Sequence, residues 1–239
     1  TEIYTLSLHD ALPIWNGDFS FTAAGNRALN LGSGAVTLGG DRTLDILNNT
    51  LIVEGVIDDG ASDYGLTKAG TGRLTLRGAN TFSGALAVLG GTLEISGSGQ
   101  AANISGVLIS NLGSLVMSNA GTVLGDRIPD AAPIGMAGGT LAWTHDAAAA
   151  TAYSETLGAL SLTGGTNHIV ASQAAADGTA ALTFASLARS GNARAVVEAT
   201  GVGLDDRNRI FFTAAPAAVD GLIPWMLLRT GTGGTGADW

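Results

Sequence analysis

Short alternations of apolar and polar residues recur along the chain, each flanked by small or polar residues. They read Thr50-Leu51-Ile52-Val53-Glu54-Gly55, Arg73-Leu74-Thr75-Leu76-Arg77-Gly78, Thr92-Leu93-Glu94-Ile95-Ser96-Gly97, Ser114-Leu115-Val116-Met117, Thr140-Leu141-Ala142-Trp143, Ala159-Leu160-Ser161-Leu162-Thr163-Gly164 and Ala181-Leu182-Thr183-Phe184. A period of two over four to six residues is the pattern of a strand with one buried face. Successive starts lie 23, 19, 22, 26, 19 and 22 residues apart. Between them stand Gly39-Gly40, Gly90-Gly91, Gly97-Ser98-Gly99 and Gly164-Gly165, which supply turns at little steric cost. The pattern predicts a repeating unit of about twenty residues: a main strand, one or two weaker strands such as Leu86-Ala87-Val88, and glycine corners.

One such unit cannot bury its apolar face alone. Stacked on its neighbours at about 4.8 Å, it pairs its backbone above and below and sets Leu on Leu inside. The expected architecture is all-β, a right-handed parallel β-helix over residues 15–230, with about ten coils of about 20 residues and a length of about 50 Å. A β-sandwich has no reason to repeat one motif at this period, and a propeller repeats at about 40 residues with an aromatic marker per blade, which is not visible here. The Ala-rich stretch Ala147 to Thr156 is expected to be a loop between coils, with a short helical excursion on the solenoid surface as the alternative.

Composition agrees with this picture. Of 239 residues 36 are glycine, 46% are hydrophobic, only 5% are aromatic and 13% are charged, so the core is built from small and branched aliphatic side chains. Twenty acidic and 11 basic residues give a net charge of −9 with no basic run, which argues against nucleic acid as a partner. The absence of cysteine removes disulfides, thiolate metal sites and Cys nucleophiles. No stretch has the length of a membrane-spanning helix, and the first residues lack the basic region and apolar core of a signal peptide, so an exported protein is expected to carry its signal outside this fragment. Thr5-Leu6-Ser7-Leu8-His9-Asp10-Ala11-Leu12-Pro13-Ile14 matches what one frame of a common sequencing-adapter oligonucleotide encodes, so residues 1–14 are expected to be a non-native leader. Residues 231–239 are expected to be a Gly-rich truncated end.

The segment Gly65-Leu66-Thr67-Lys68-Ala69-Gly70-Thr71-Gly72-Arg73-Leu74-Thr75-Leu76-Arg77-Gly78-Ala79-Asn80-Thr81-Phe82-Ser83-Gly84, followed by Val88-Leu89-Gly90-Gly91-Thr92-Leu93-Glu94-Ile95, closely resembles the autotransporter-associated β-strand repeat. The best-matched repeat covers 65–95. In it, Gly70, Gly72, Gly78 and Gly84 are expected to turn the chain, Leu74 and Leu76 to face the core, and Asn80 to bond to corner backbone and stack with an Asn of a neighbouring coil, with Phe82 capping the corner. Asp126-Arg127-Ile128-Pro129-Asp130, Gly138-Gly139-Thr140-Leu141, Ser154-Glu155-Thr156-Leu157-Gly158 and Ser186-Leu187-Ala188-Arg189-Ser190 resemble, more loosely, the region downstream of such repeats in long surface proteins. The resemblance implies a structural or interaction rod of an exported bacterial surface protein, extracellular and outer-membrane-associated in a longer parent, with a protein or glycan as surface ligand.

Candidate chemistry is sparse. Asp58, Asp59 and Asp63 around Gly60 invite a calcium loop, but match neither an EF-hand nor the nonapeptide of calcium-binding β-rolls, and read as a solvated turn. Asp205 and Asp206 stand beside Arg207 and Arg209, which neutralise them. His145 and His168 lie in no nucleophile or metal motif and read as strand-edge or turn residues. Gly231-Thr232-Gly233-Gly234 lacks the Lys-Ser or Lys-Thr of a phosphate loop. Parallel β-helices also carry sugar-cleaving sites built from clustered carboxylates; here Asp, His and Arg are scattered, and Lys68 is the single lysine. The expectation is therefore no catalytic residue, no metal and no cofactor, with a carbohydrate-active or carbohydrate-binding β-helix as the alternative function.

Overall fold

The computed structural model describes residues 14–110, 112–145, 152–172, 178–199, 208–220 and 222–230, and every element named in them is a strand. No helix there is long and apolar enough to cross a membrane. The strands form a parallel β-solenoid with three faces. A nine-stranded long sheet stacks Ala28–Asn30, Thr50–Val53, Arg73–Leu76, Thr92–Ile95, Ser114–Ser118, Thr140–Thr144, Thr166–Ser172, Arg194–Ala199 and Met226–Thr230 in that order. A second, eight-stranded sheet stacks Phe19–Phe21, Arg42–Ile46, Leu66–Ala69, Leu86–Val88, Val107–Ser110, Ile134–Ala137, Leu160–Gly164 and Leu187–Arg189. The third face is broken into three short sheets, running from Ile14–Trp15 through Ala79–Asn80 to Asn208–Phe212.

Register places like on like. On the long sheet Leu51, Leu74, Leu93, Leu115, Leu141, Ile169 and Val197 form one continuous inward row, and each is at most 5% exposed. A second row runs Val53, Leu76, Ile95, Met117, Trp143 and Ala171, where the bulk of Trp143 is met by the small Ala171. Burying each large aliphatic side chain contributes about 1.5–3 kcal/mol, and outward positions such as Thr92, Glu94 and Val116 are only partly covered. Alternation in the sequence is thus the alternation of a stacked wall.

The coil length is not constant. From Arg73 to Thr92 to Ser114 the step is 19 and then 22 residues, but Thr140 pairs with His168, His168 with Val196 and Val196 with Leu227, steps of 28, 28 and 31. The alternations at Leu160 and Leu182, expected to continue the main strand, lie instead on the second sheet and on the third face, where they pair with Ile134–Ala137 and Ala152–Leu157. The added residues widen the third face from two-residue strands such as Ala79–Asn80 to the six-residue Ala152–Leu157 and Thr179–Phe184. Longer coils make fewer of them: the nine strands of the long sheet, among the described residues, span about 38 Å at the usual strand spacing, against the ten coils and about 50 Å expected.

The loop expected in the Ala-rich stretch needs correction. The stretch expected to loop from Ala147 to Thr156 is a strand from Ala152 onward, and 146–151 lie outside the described residues. Ile14, grouped with the leader, pairs with Thr37 on the third face; residues 1–13 and 231–239 lie outside the described residues.

Of the four repeat glycines expected to turn the chain, Gly70 does so with φ of 76°, in the left-handed region, whereas Gly78 is needed for room: a Cβ there would overlap the carbonyl oxygen of Gly55 on the preceding coil. Gly78→Ala is expected to destabilise the chain by about 1–3 kcal/mol through forced backbone displacement, while Gly164→Ala, with open space at that position, stays within about 0.5 kcal/mol; urea midpoints of the two variants test this.

Candidate functional site

Alternation sends some polar side chains inward, and these form the solenoid's internal polar sites. Lys68 follows Leu66 by two residues and therefore faces the interior, stacked between Leu44 and Val88 and fully buried. Its Nζ donates to the carbonyl oxygens of Ala69 at 2.6 Å and Gly70 at 2.9 Å, and across to Gly90 on the next coil at 3.1 Å. Burial lowers its pKa to about 8, against the opposing attraction of Asp45. The lysine satisfies corner carbonyls that strand pairing leaves over.

Asn80, also fully buried, works at another corner. Its Oδ1 accepts from Ile57 N–H on the preceding coil at 2.9 Å, while Nδ2 donates to Gly78 O and to Gln100 O on the following coil, both at 2.9 Å. The expected Asn stack is absent because Ala101 is its register partner; one amide instead spans three coils. Asn167 repeats the arrangement, accepting from Gly138 N–H at 2.8 Å and donating to Gly164 O at 3.0 Å and Arg194 O at 3.1 Å. Phe82, expected to cap a corner, is fully buried in the core.

The largest internal polar group bridges the break in the third face between Gln100–Ala101 and Ala152–Leu157. Arg127, fully buried, donates from Nε to Asn119 Oδ1 at 2.9 Å, from Nη1 to Gly99 O at 2.6 Å, and from Nη2 to Gly97 O at 3.2 Å and Thr122 O at 3.1 Å. Its own carbonyl accepts from Ala101 N–H at 2.8 Å. From the far side Glu155 Oε1 accepts the N–H groups of Arg127 at 3.0 Å and Ile128 at 3.4 Å, and its Oε2 is buried without a hydrogen-bond partner. Burial pushes the Glu155 carboxyl up to about 8, outweighing those two N–H bonds. Neither residue takes a role of its own from the sequence pattern, although Glu155 shares the inward phase of Tyr153 and Leu157.

The acidic turn that invites a calcium loop is engaged with its own coil neighbours. Asp59 Oδ2 accepts from Ser83 N–H at 2.9 Å, Ser83 Oγ–H at 2.7 Å and Tyr64 N–H at 3.2 Å. Burial opposes its ionisation, but these bonds outweigh it and hold the carboxyl below the ordinary range. Asp58 accepts from Gly60 N–H and Thr37 Oγ1–H, and Asp63 Oδ1 lies 3.1 Å from Ser83 Oγ. Among the described residues no group of three or more His, Cys, Asp or Glu side chains is placed to hold a metal ion.

His145 directly follows the strand Thr140–Thr144, whereas His168 lies within one. His145 stacks on Tyr153 with centroids 3.9 Å apart and meets Trp143 edge-on at 4.2 Å, while His168 lies inside a strand of the long sheet, its Nδ1 3.1 Å from Glu198 Oε1. Arg229 also binds Glu198, and Arg73–Glu94 and Arg77–Glu54 pair on the outer surface nearer the other end. Asp205, Asp206 and Arg207 lie outside the described residues.

Because the folded state holds the Glu155 proton up to about pH 8, whereas the unfolded chain releases it near 4.5, the folded state binds more protons in that window and stability falls as pH rises through it. Glu155→Gln keeps an Oε1 acceptor and is expected to flatten this slope; urea midpoints for both proteins across pH 4.5 to 8 measure it. Millimolar calcium, in the range that extracellular calcium modules need, is expected to leave the melting temperature unchanged, and a calorimetric scan with and without chelator checks this.

Residues 66–95 match the family model described as passenger-associated-transport-repeat, one residue inside the span read from the sequence. The chain is 39% identical over 111 residues to the adhesin BmaC autotransporter of Brucella suis biovar 1 (strain 1330), an alignment that takes in 43% of this chain and 3% of the relative. The chain thus spans a small part of the relative's length. No solved structure matches it. The segment holding Lys68, Asn80 and the buried rows at Leu74 and Leu93 is thus similar to a passenger-associated-transport-repeat, and it is set in a parallel β-solenoid.

Proposed function

We propose that this chain is part of the passenger of an autotransporter, a stiff rod displayed at the bacterial surface that carries adhesive contacts and turns over no substrate of its own. The observation that carries the reading is the transport repeat at 66–95 lying in unbroken register with coils on both sides. The adhesin relative supports it.

The mechanism is mechanical. Each coil is hydrogen-bonded to the coil before it and the coil after it, as when Leu66 N–H donates to Ala85 O and Leu86 N–H to Gly106 O. Stability is then a sum of neighbour terms, and folding propagates from any coil already formed. A chain emerging from the cell folds onto the coil outside, and each added coil opposes its return. The outer surface is mixed in charge, with arginine–glutamate pairs across coils, which keeps the rod soluble without a single strong field.

An epitope inserted between Gly25 and Asn26, in an exposed turn where Gly25 has open space around it, tests the reading in the complete gene. Intact cells are expected to stain for the epitope and to lose the stain on mild protease treatment. Staining only after lysis sinks the surface assignment.

A further inference from the structure

The last described strand of the second sheet, Leu187–Arg189, passes into Arg194–Ala199 of the long sheet through a four-residue corner with Gly191 at φ of 57°. That corner sets two exposed arginines, Arg189 and Arg194, at its two ends. Trp225 of the following coil lies beside it: Ala195 N–H donates to Trp225 O at 3.0 Å, and the guanidinium carbon of Arg189 stands 5.3 Å from the indole centroid. Thr166 from the preceding coil and Pro224, Met226 and Leu227 complete a cleft of about 600 Å³.

The charge in this cleft is unusual for the chain. Elsewhere on the outer surface Arg73, Arg77 and Arg229 are paired with Glu94, Glu54 and Glu198, and Arg42 donates to the carbonyls of Trp15 and Asp41. The described residues that line the cleft include no carboxylate. Glu198 is four residues along the strand from Arg194, about 13 Å away at the strand rise, and is engaged by His168 and Arg229. In a protein of net charge −9, two cations left together in one concavity point to an anionic ligand.

We propose that this cleft binds a carboxylated sugar of a glycan. Guanidinium groups present a planar fork that matches a carboxylate with two parallel N–H bonds, and stacking on Trp225 holds Arg189 in place. Pro224, Trp225 and Met226 supply an apolar wall for the C–H face of a pyranose ring. The volume lies within the range of about 300–1,000 Å³ usual for small-ligand sites. One corner wide, the cleft suits a sugar carboxylate better than an extended acidic peptide, which would need a longer run of donors. The inference rests on the surface reading above, because such a glycan is met outside the cell.

Titration calorimetry of the 239-residue chain with trigalacturonate, with its fully methyl-esterified form and with hexaglutamate tests the proposal. The free acid is expected to bind, with the ester and the Arg189→Gln and Arg194→Gln variants each weaker by about tenfold or more, as loss of a charge-assisted pair implies. Arg27→Gln, an exposed arginine outside the cleft, is expected to leave the affinity unchanged.

No heat from the free acid at about 10 mM, the weak end of specific binding, overturns the proposal. Equal affinity for the ester, an equal loss in Arg27→Gln, or tighter binding of hexaglutamate does so as well. The ester comparison needs no variant, so a misfolded substitution does not rescue the idea. Surface display is read separately by the epitope: a silent titration with a chain that stains on intact cells removes the sugar site alone.

Discussion

A strand in this solenoid has no partner within its own coil. The N–H of Thr92 reaches back to Gly72 O and that of Ser114 to Gly91 O, so the strand backbone of each coil is paired by the coils on either side. A buried peptide group left unpaired costs about as much as a lost hydrogen bond, which makes equal register between coils the condition for burying any of them. Once the register is fixed, side chains at equivalent positions must lie on one another, and inward rows of Leu, Ile and Val are the result.

The same condition explains the polar interior. Strand pairing takes care of the flat faces, whereas at corners the chain changes direction and carbonyls are left pointing inward. Lys68, Asn80, Asn167 and Arg127 are placed at such points, and each reaches residues of an adjacent coil. These side chains act as pins between coils where the ladder is interrupted. Arg127 serves the largest interruption, where the third face changes from short strands to long ones, and it takes Glu155 with it as the acceptor for the backbone on the other side.

Much of this was legible in the sequence. A period of two fixed which residues point inward, and its recurrence fixed the stacked architecture and the strongest repeat. It did not fix which of the three faces a strand occupies, because inward is the same pattern on every face; hence Leu160 and Leu182 read as main strands while belonging to the other two. Lys68 and Glu155 sit at inward phase by the same rule, but their charge argued for solvent, and only the corner carbonyls and N–H groups around them reverse that argument. The cleft was not legible, since Arg189 and Trp225 are more than a coil apart along the chain and meet through the register of the corner.

The growth of the coils gives the rod a material polarity. At Ala79–Asn80 and Thr92–Ile95 a coil meets its neighbour through strands of two and four residues; further along, Thr166–Ser172 and Thr179–Phe184 offer seven and six. On the long sheet and the third face, cohesion between successive coils is therefore greater at these longer strands. Under tension such a body yields first where its coils meet through short strands, so a load applied along it is borne unequally.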